Sequence, residues 1–143
     1  MKDSLQPGLT FEFSYTVPEN KTVPHLYPEA EELGQMPAVF ATGFMVGLVE
    51  WACIRAINPH IDWPREQTVG TRVDLDHTAP TPAGFEVTVR GTLKALEGRK
   101  LTFDIEAHDD FDRITRGTHE RFIIDAANFN AAVAEKAAKI SRA

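Results

Sequence analysis

The chain has 143 residues, enough for one domain with a sizeable core, and carries a formal net charge of −6 at pH 7. This acidic balance, with no cluster of Lys and Arg to offset it, argues against a nucleic-acid partner or attraction to an anionic membrane. The first residues, MKDSLQPG, lack the apolar core of a signal peptide, and the lone Cys53 excludes an internal disulfide. We therefore expect a single domain, residues 1–143, in the cytoplasm.

The first predicted element is a strand at residues 9–17, LTFEFSYTV, in which apolar and polar side chains alternate. Residues 18–36 follow with three prolines and no sustained periodicity, which indicates an ordered loop or short turns. A segment of this kind, placed before a long apolar element, is able to fold over a pocket as a lid.

Residues 37–57, PAVFATGFMVGLVEWACIRAI, form an apolar run that is too long for a strand and predict one helix buried on nearly every side. Pro37 suits the first turn of a helix, and Pro59 marks its end. The length would also allow a membrane span, but an acid near the middle would be costly in lipid. We therefore favour a helix enclosed by a sheet.

Glu50 is the only charged residue between Pro37 and Ile54. An isolated carboxylate among apolar neighbours carries a desolvation cost that a purely structural helix has no reason to bear. Glu50 is therefore the first candidate functional residue. Pairing with Arg55 or with a cation of a partner subunit is the structural alternative.

Four further strands are predicted after the helix, at residues 68–78, 85–96, 100–107 and 113–124. In the first of them His77 shares its parity with Val73 and Leu75, so we expect it on the inward face. In the second, the inward set is Phe85, Val87, Val89, Leu93 and Ala95.

The segment Glu97-Gly98-Arg99 reads as a hairpin connection, and Asp125 as the N-cap of a terminal helix.

The element order is a strand, a long apolar helix, and four strands joined by tight connections. This order predicts an α+β protein of hotdog architecture, in which an antiparallel sheet wraps around a long central helix. A single copy would leave a sheet edge exposed and the helix half covered. We therefore expect a homodimer.

Several blocks of sequence also carry a resemblance to a known family. These blocks are KTVPHLYPE (21–29), VFATGFMVGLVEWACIRA (39–56), the strand ending in His77, and GTHERFII (117–124). Together they closely resemble the hotdog thioesterases that hydrolyse fluoroacetyl-coenzyme A. The resemblance implies an acyl-coenzyme A substrate, no cofactor, and catalytic roles for Thr42, Glu50 and His77.

The same resemblance implies substrate contacts from further positions, which are Gly70, Arg121, Val23, Leu26, Leu33 and Met36. At Leu33 and Met36 the family has aromatic lid residues. We therefore expect thioester hydrolysis with less preference for a fluorinated acyl group.

The residues themselves are compatible with thioester chemistry. Thr42 and Glu50 are separated by about 80° of helical rotation and roughly 12 Å along the axis, and His77 would close the same pocket. Glu50 suits the role of nucleophile or of general base, with His77 orienting it or moving the proton. Thr42 would hydrogen-bond the carboxylate or the acyl group. Alone, a helical threonine often bonds only the backbone, and an inward histidine is often structural.

Two of the implied substrate contacts also have structural interpretations. Gly70 either marks a strand bulge or offers its amide to a developing oxyanion. Arg121 is either a solvated strand residue or a contact for the phosphates of coenzyme A.

Other sites and functions are less well supported. Cys53 in an apolar helix is typical of a small core residue rather than a nucleophile, and the histidines show no metal-ligand spacing. The alternatives to a thioesterase are a non-catalytic acyl-coenzyme A binding module and a hotdog hydratase. The Asp-His signature of the hydratases is not evident in this chain.

Overall fold

The computed structural model describes residues 1–141. Its strands are β1 (Thr10–Thr16), β2 (Glu66–Leu75), β3 (Glu86–Glu97), β4 (Lys100–His108) and β5 (Arg113–Asp125). Its α-helices are α1 (Glu31–Gly34), α2 (Thr42–Ile57) and α3 (Ala126–Ala138). The strands form one antiparallel sheet in the order β1-β3-β4-β5-β2, so β1 and β2 are its edges. Within residues 1–141, no helix combines the length and apolarity needed to cross a bilayer.

The core lies between one face of α2 and one face of the sheet. The buried helix side chains recur at helical spacing and are Met45, Leu48, Val49, Ala52, Cys53 and Ile57. They meet buried strand residues, among them Val89, Leu93, Leu101, Phe103 and Ile123. Each large apolar side chain that is fully buried contributes about 1.5–3 kcal/mol relative to exposure. This packing is the main attachment of the helix to the sheet.

The opposite face of α2 is open, so the prediction that the helix is buried on nearly every side was wrong for a single chain. Gly43 and Gly47 are exposed on this face, and Trp51 keeps 45% of its surface accessible. The reason is geometric, because a five-stranded sheet covers one side of a helix and leaves the other side free.

The helix also begins later than predicted. It begins at Thr42 rather than Pro37, because Val39 and Phe40 form β-bridges with Pro82 and Thr22. Long-range backbone pairing therefore holds these apolar residues in an extended conformation that the local pattern does not reveal.

β2 differs from the predicted strand in two ways: it ends earlier, and a bulge interrupts its alternation. It ends at Leu75, so His77 lies beyond the strand and not on its inward face as predicted. A bulge between Gly70 and Arg72 shifts the register against β5, which reverses the parity part-way along the strand.

A second bulge, between Leu93 and Ala95, changes the inward residue at the end of β3. Leu96, rather than the predicted Ala95, packs against the core. Alternation alone does not predict where an extra residue enters a strand.

The remaining connections follow the sequence pattern closely. Gly98, with φ of 62°, forms the tight turn between β3 and β4, a conformation that glycine adopts without steric cost. The Asp125 side chain accepts a hydrogen bond of 3.0 Å from the Asn128 N–H and caps α3 as predicted. An antiparallel sheet with one long helix on its face is the architecture that the element order predicted.

Candidate active site

Thr42 and His77 are in direct contact. Thr42 is the first residue of α2, His77 lies just beyond the end of β2, and Thr42 Oγ1 is 2.7 Å from His77 Nδ1. The end of an edge strand thus brings the imidazole to the N-terminus of the helix. The two residues form a hydroxyl-imidazole pair, which has the chemistry of an activated hydroxyl or of a proton relay.

The His77 ring is held in its neutral form. Burial lowers its pKa below the usual histidine value, while the Asp76 carboxylate opposes this shift. Its Nε2 is buried and has no hydrogen-bond partner among residues 1–141. A neutral ring bonded to Thr42 through Nδ1 therefore has its second nitrogen available for a proton transfer.

Glu50 lies eight residues further along α2 and is paired rather than isolated. Arg121 Nη1 donates to Glu50 Oε2 over 3.2 Å, and 39% of the Glu50 side chain is accessible. The expectation of an unpartnered carboxylate in an apolar environment was therefore wrong. Arg55, the alternative partner, instead lies over the Phe13 ring at 4.9 Å.

Arg121 is almost completely buried, with 2% of its side chain accessible. Its Nε donates to Thr68 Oγ1 over 2.9 Å, and its Nη2 donates to the Thr68 carbonyl oxygen over 2.8 Å. Its Nη1, which also contacts Glu50, lies 3.1 Å from His119 Nε2. The guanidinium therefore faces the carboxylate rather than solvent, an arrangement that fits a counter-ion better than a phosphate contact.

Gly70 lies at the bulge of β2, where its backbone approaches the ion pair. A Cβ atom at this position would lie 3.1 Å from Glu50 Oε2 and 3.3 Å from Arg121 Nη1. Any side chain here would therefore crowd the carboxylate. The sequence left two interpretations of Gly70, a strand bulge or an amide that stabilises the oxyanion; the bulge is present, and the oxyanion role stays a prediction.

The predicted lid residues differ in how close they come to Thr42. Leu26 Cδ1 lies 3.1 Å from the position of a Cβ on Gly43, so this leucine packs beside the start of α2. The N–H of Val23 donates to the Val39 carbonyl oxygen over 2.9 Å and ties the segment down.

Leu33 and Met36 lie further along the same segment. Leu33 is in α1 and half-buried, whereas Met36 follows α1 and is 48% exposed. Of these two side chains, that of Met36 is the less buried and is therefore the freer to move.

The two clusters, Thr42 with His77 and Glu50 with Arg121, lie about two helical turns apart, which corresponds to roughly 12 Å along α2. No hydrogen bond joins them in the described part of the chain. Thr42 is exposed and Glu50 half-exposed, so both clusters are accessible to solvent.

Cys53 is a core residue, as its environment in the sequence indicated. It is fully buried, and burial raises the pKa of its thiol to about 12. The thiol therefore remains protonated at neutral pH and has no reactive thiolate form.

Sequence reasoning missed Thr68 and His119, the two residues that hold Arg121 in place. His119 is part of the GTHERFII block and precedes Arg121 by two positions, so strand alternation places both on one face. The two-residue spacing of His119 and Arg121 was therefore a signal that the sequence offered. Nothing in the local sequence indicated Thr68, because its contact depends on the pairing of β2 with β5.

Comparison with known proteins identifies the family. The family model of the fluoroacetyl-CoA-specific thioesterase FlK matches residues 18–127. The chain is 50% identical over 136 residues to the fluoroacetyl-CoA thioesterase of Streptantibioticus cattleyicolor, covering 95% of this chain and 97% of that protein. The chain belongs to this family. The family consists of thioester hydrolases.

Solved structures agree with this assignment. A variant of FlK in complex with acetyl-CoA is 48% identical with a TM-score of 0.90, over 92% of this chain and 98% of that one. A thioesterase-superfamily protein from Thermus thermophilus is 26% identical with a TM-score of 0.85, over 97% and 98% of the two chains. The predicted hotdog fold is confirmed.

The lowered pKa of His77 predicts how kcat/KM changes on the acid side of its pH profile. If the neutral ring is required, kcat/KM should fall with decreasing pH only below the ordinary histidine value of 6.5. We expect His77→Ala to lower kcat/KM by about 10²- to 10⁴-fold and to abolish that acid limb.

The measurement is kcat/KM against pH for the wild type, His77→Ala, and His60→Ala as a control histidine away from the site. An acid limb that persists unchanged in His77→Ala would assign the titration to another group.

Proposed function

We propose that this protein hydrolyses short-chain acyl-coenzyme A thioesters, including fluoroacetyl-coenzyme A, to the free acid and coenzyme A. The observation that carries the proposal is the half-exposed Glu50 carboxylate, fixed by buried Arg121 in a chain that belongs to the thioesterase family. No cofactor is needed, because thiolate is a good leaving group and the reaction requires only a nucleophile and stabilisation of the oxyanion.

In the proposed mechanism the three candidate residues act on one bound thioester, which must connect the Thr42–His77 pair to Glu50 because the two clusters lie roughly 12 Å apart along α2. Arg121 binds Oε2 of Glu50, and this leaves Oε1 free to act in one of two ways. Oε1 either attacks the carbonyl carbon, which expels the coenzyme A thiolate and forms an anhydride that water then hydrolyses, or it takes a proton from a water that attacks the carbonyl directly. His77 passes a proton to the departing thiolate, and Thr42, bonded to its Nδ1, binds the acyl oxygen or aligns the ring. Gly70 lets the backbone of β2 approach the carboxylate, since a Cβ there would lie only 3.1 Å from Glu50 Oε2.

Glu50→Gln tests this proposal directly. The amide oxygen of glutamine keeps an acceptor for Arg121, so we expect a folded protein that loses about 10²- to 10⁴-fold in kcat/KM. Thiol release from a panel of short acyl-coenzyme A esters is the measurement. Glu12→Gln, which removes an exposed ion pair with Arg90 at the edge of the sheet, is the matched control.

Wild-type turnover in a folded Glu50→Gln protein would remove Glu50 from the mechanism. A wild-type protein that binds acyl-coenzyme A but releases no thiol would instead support the alternative of a non-catalytic binding module.

The lid predicts a broad substrate range. Met36 is exposed, unbranched and adaptable, and it lies with Leu33 in the segment that precedes α2. An apolar pocket separates substrates that differ by one small group by only about 10- to 200-fold. We therefore expect a fluoroacetyl preference over acetyl-coenzyme A near the low end of that range.

The measurement is kcat/KM for both esters side by side, with Met36→Phe as the comparison. We expect the aromatic substitution to increase the preference. A wild-type preference beyond about 10³-fold would show that discrimination does not depend on aromatic lid residues.

We further propose that the protein acts as a homodimer. The outer edge of β2 has no partner strand among residues 1–141, Val73 on that strand is 45% exposed, and Trp51 on the open face of α2 is 45% exposed. A second copy would cover these surfaces and enclose Thr42 and Glu50. Sedimentation equilibrium at micromolar concentration should give twice the chain mass of 15.9 kDa, and a monomer would contradict the proposal.

We propose a cytoplasmic location, where acyl-coenzyme A is available. A single buried thiol, Cys53, is compatible with a reducing compartment.

A further inference from the structure

His119 connects the bulge of β2 to the candidate catalytic carboxylate. Its Nδ1 lies 2.7 Å from the Arg72 carbonyl oxygen, and its Nε2 lies 3.1 Å from Arg121 Nη1. The same Nη1 donates to Glu50 Oε2 over 3.2 Å. A continuous set of hydrogen bonds therefore runs from β2 through β5 to α2.

The partners of His119 determine where its proton lies. A carbonyl oxygen only accepts and a guanidinium N–H only donates, so Nδ1 carries the hydrogen and Nε2 accepts from Arg121. The side chain is completely buried, and burial lowers its pKa, which favours this neutral form. A protonated ring would direct an N–H at the guanidinium and break the contact.

The bulge supplies the acceptor that orients the ring. The register between β2 and β5 shifts between Gly70 and Arg72, and Val73 then lies opposite His119. A bulge changes the direction in which the neighbouring groups point. Here the Arg72 carbonyl within the bulge accepts a hydrogen bond from the imidazole N–H. The same bulge contains Gly70, where an added Cβ would lie 3.3 Å from His119 Cε1.

Thr68 and His119 hold different edges of the Arg121 guanidinium. Thr68 accepts from Nε and Nη2, which fixes the edge that points away from Glu50. The Nη1 edge is shared by the carboxylate and by His119. His119 therefore supplies, in the described part of the chain, the protein acceptor that aligns Nη1 when the carboxylate is engaged in chemistry.

We propose that His119 is a positioning residue, which fixes Arg121 and through it the reactive orientation of Glu50. The inference rests on the proposed hydrolytic function of Glu50. His119 does not reach the substrate, so its effect should appear in turnover rather than in substrate affinity.

Two substitutions separate the two hydrogen bonds of His119. In His119→Gln the amide reaches the position of Nε2 and keeps an acceptor for Arg121. In His119→Asn the shorter amide reaches the position of Nδ1 and keeps a donor for Arg72 but removes the imidazole acceptor of Nη1, which then binds Glu50 alone. Both residues are neutral, polar and similar in size, so a general folding defect would affect them alike.

We expect His119→Asn to lower kcat by about 10- to 100-fold with little change in KM, and His119→Gln to stay within about threefold of the wild type. Thermal unfolding of both variants provides the measure of folding. Equal losses of kcat in the two variants, or wild-type kcat in His119→Asn, would overturn the proposal.

A second measurement does not depend on activity. The ¹⁵N side-chain resonances of Arg121 report whether its Nη groups are held or rotate freely. We expect slow rotation of the Nη groups in the wild type and in His119→Gln, and faster rotation in His119→Asn, where Glu50 alone binds Nη1. Equal rotation rates in all three proteins would refute the positioning of Arg121 by His119, whereas a wild type that releases no thiol would refute the proposed function alone.

Discussion

The ion pair between Arg121 and Glu50 is the contact on which the rest of the site depends. A guanidinium with 2% of its side chain accessible retains its charge, so the fold must provide a counter-ion and acceptors for its N–H groups. Removing one partner of such a buried pair typically costs about 3–5 kcal/mol, although the half-exposed carboxylate places this pair toward the lower end. Thr68 and His119 satisfy the other donors. The arginine therefore attaches β5 to β2 and α2 and fixes the carboxylate from the sheet side.

The bulge of β2 links the fold of the sheet to the chemistry of the site. A regular strand would place side chains in strict alternation, whereas the extra residue between Gly70 and Arg72 changes which groups face the helix. Gly70 then lets the strand backbone approach Glu50, where a Cβ would crowd the carboxylate, and the Arg72 carbonyl accepts from His119. The extra residue in β2 thus allows this close approach and orients the residue that supports the ion pair.

The Thr42 and His77 pair lies at the N-terminus of α2, away from Glu50. Its imidazole is neutral because it is largely removed from solvent, and its Nε2 faces away from Thr42 without a partner in residues 1–141. The two clusters are joined by the rigid helix rather than by a direct contact. Their separation of roughly 12 Å requires a substrate, or a second copy of the chain, to connect them.

The sequence by itself determined the elements whose signals are local. The alternation in residues 10–16 predicted β1, the apolar run predicted α2, and Asp125 was predicted to cap α3. Each of these signals depends only on residues that are neighbours in the chain, so the sequence shows it directly. The sequence also singled out Glu50 through its isolation among apolar residues.

Only the tertiary structure decided what surrounds these residues. Arg121 is 71 positions from Glu50, and Arg55, which the sequence offered as an alternative partner, lies over the Phe13 ring. The start of α2 at Thr42 depends on bridges to Thr22 and Pro82, which no helical pattern encodes. The physical reason is the same in each case: a hydrogen bond between distant segments depends on strand register, and register is set by the packing of the whole sheet against its helix.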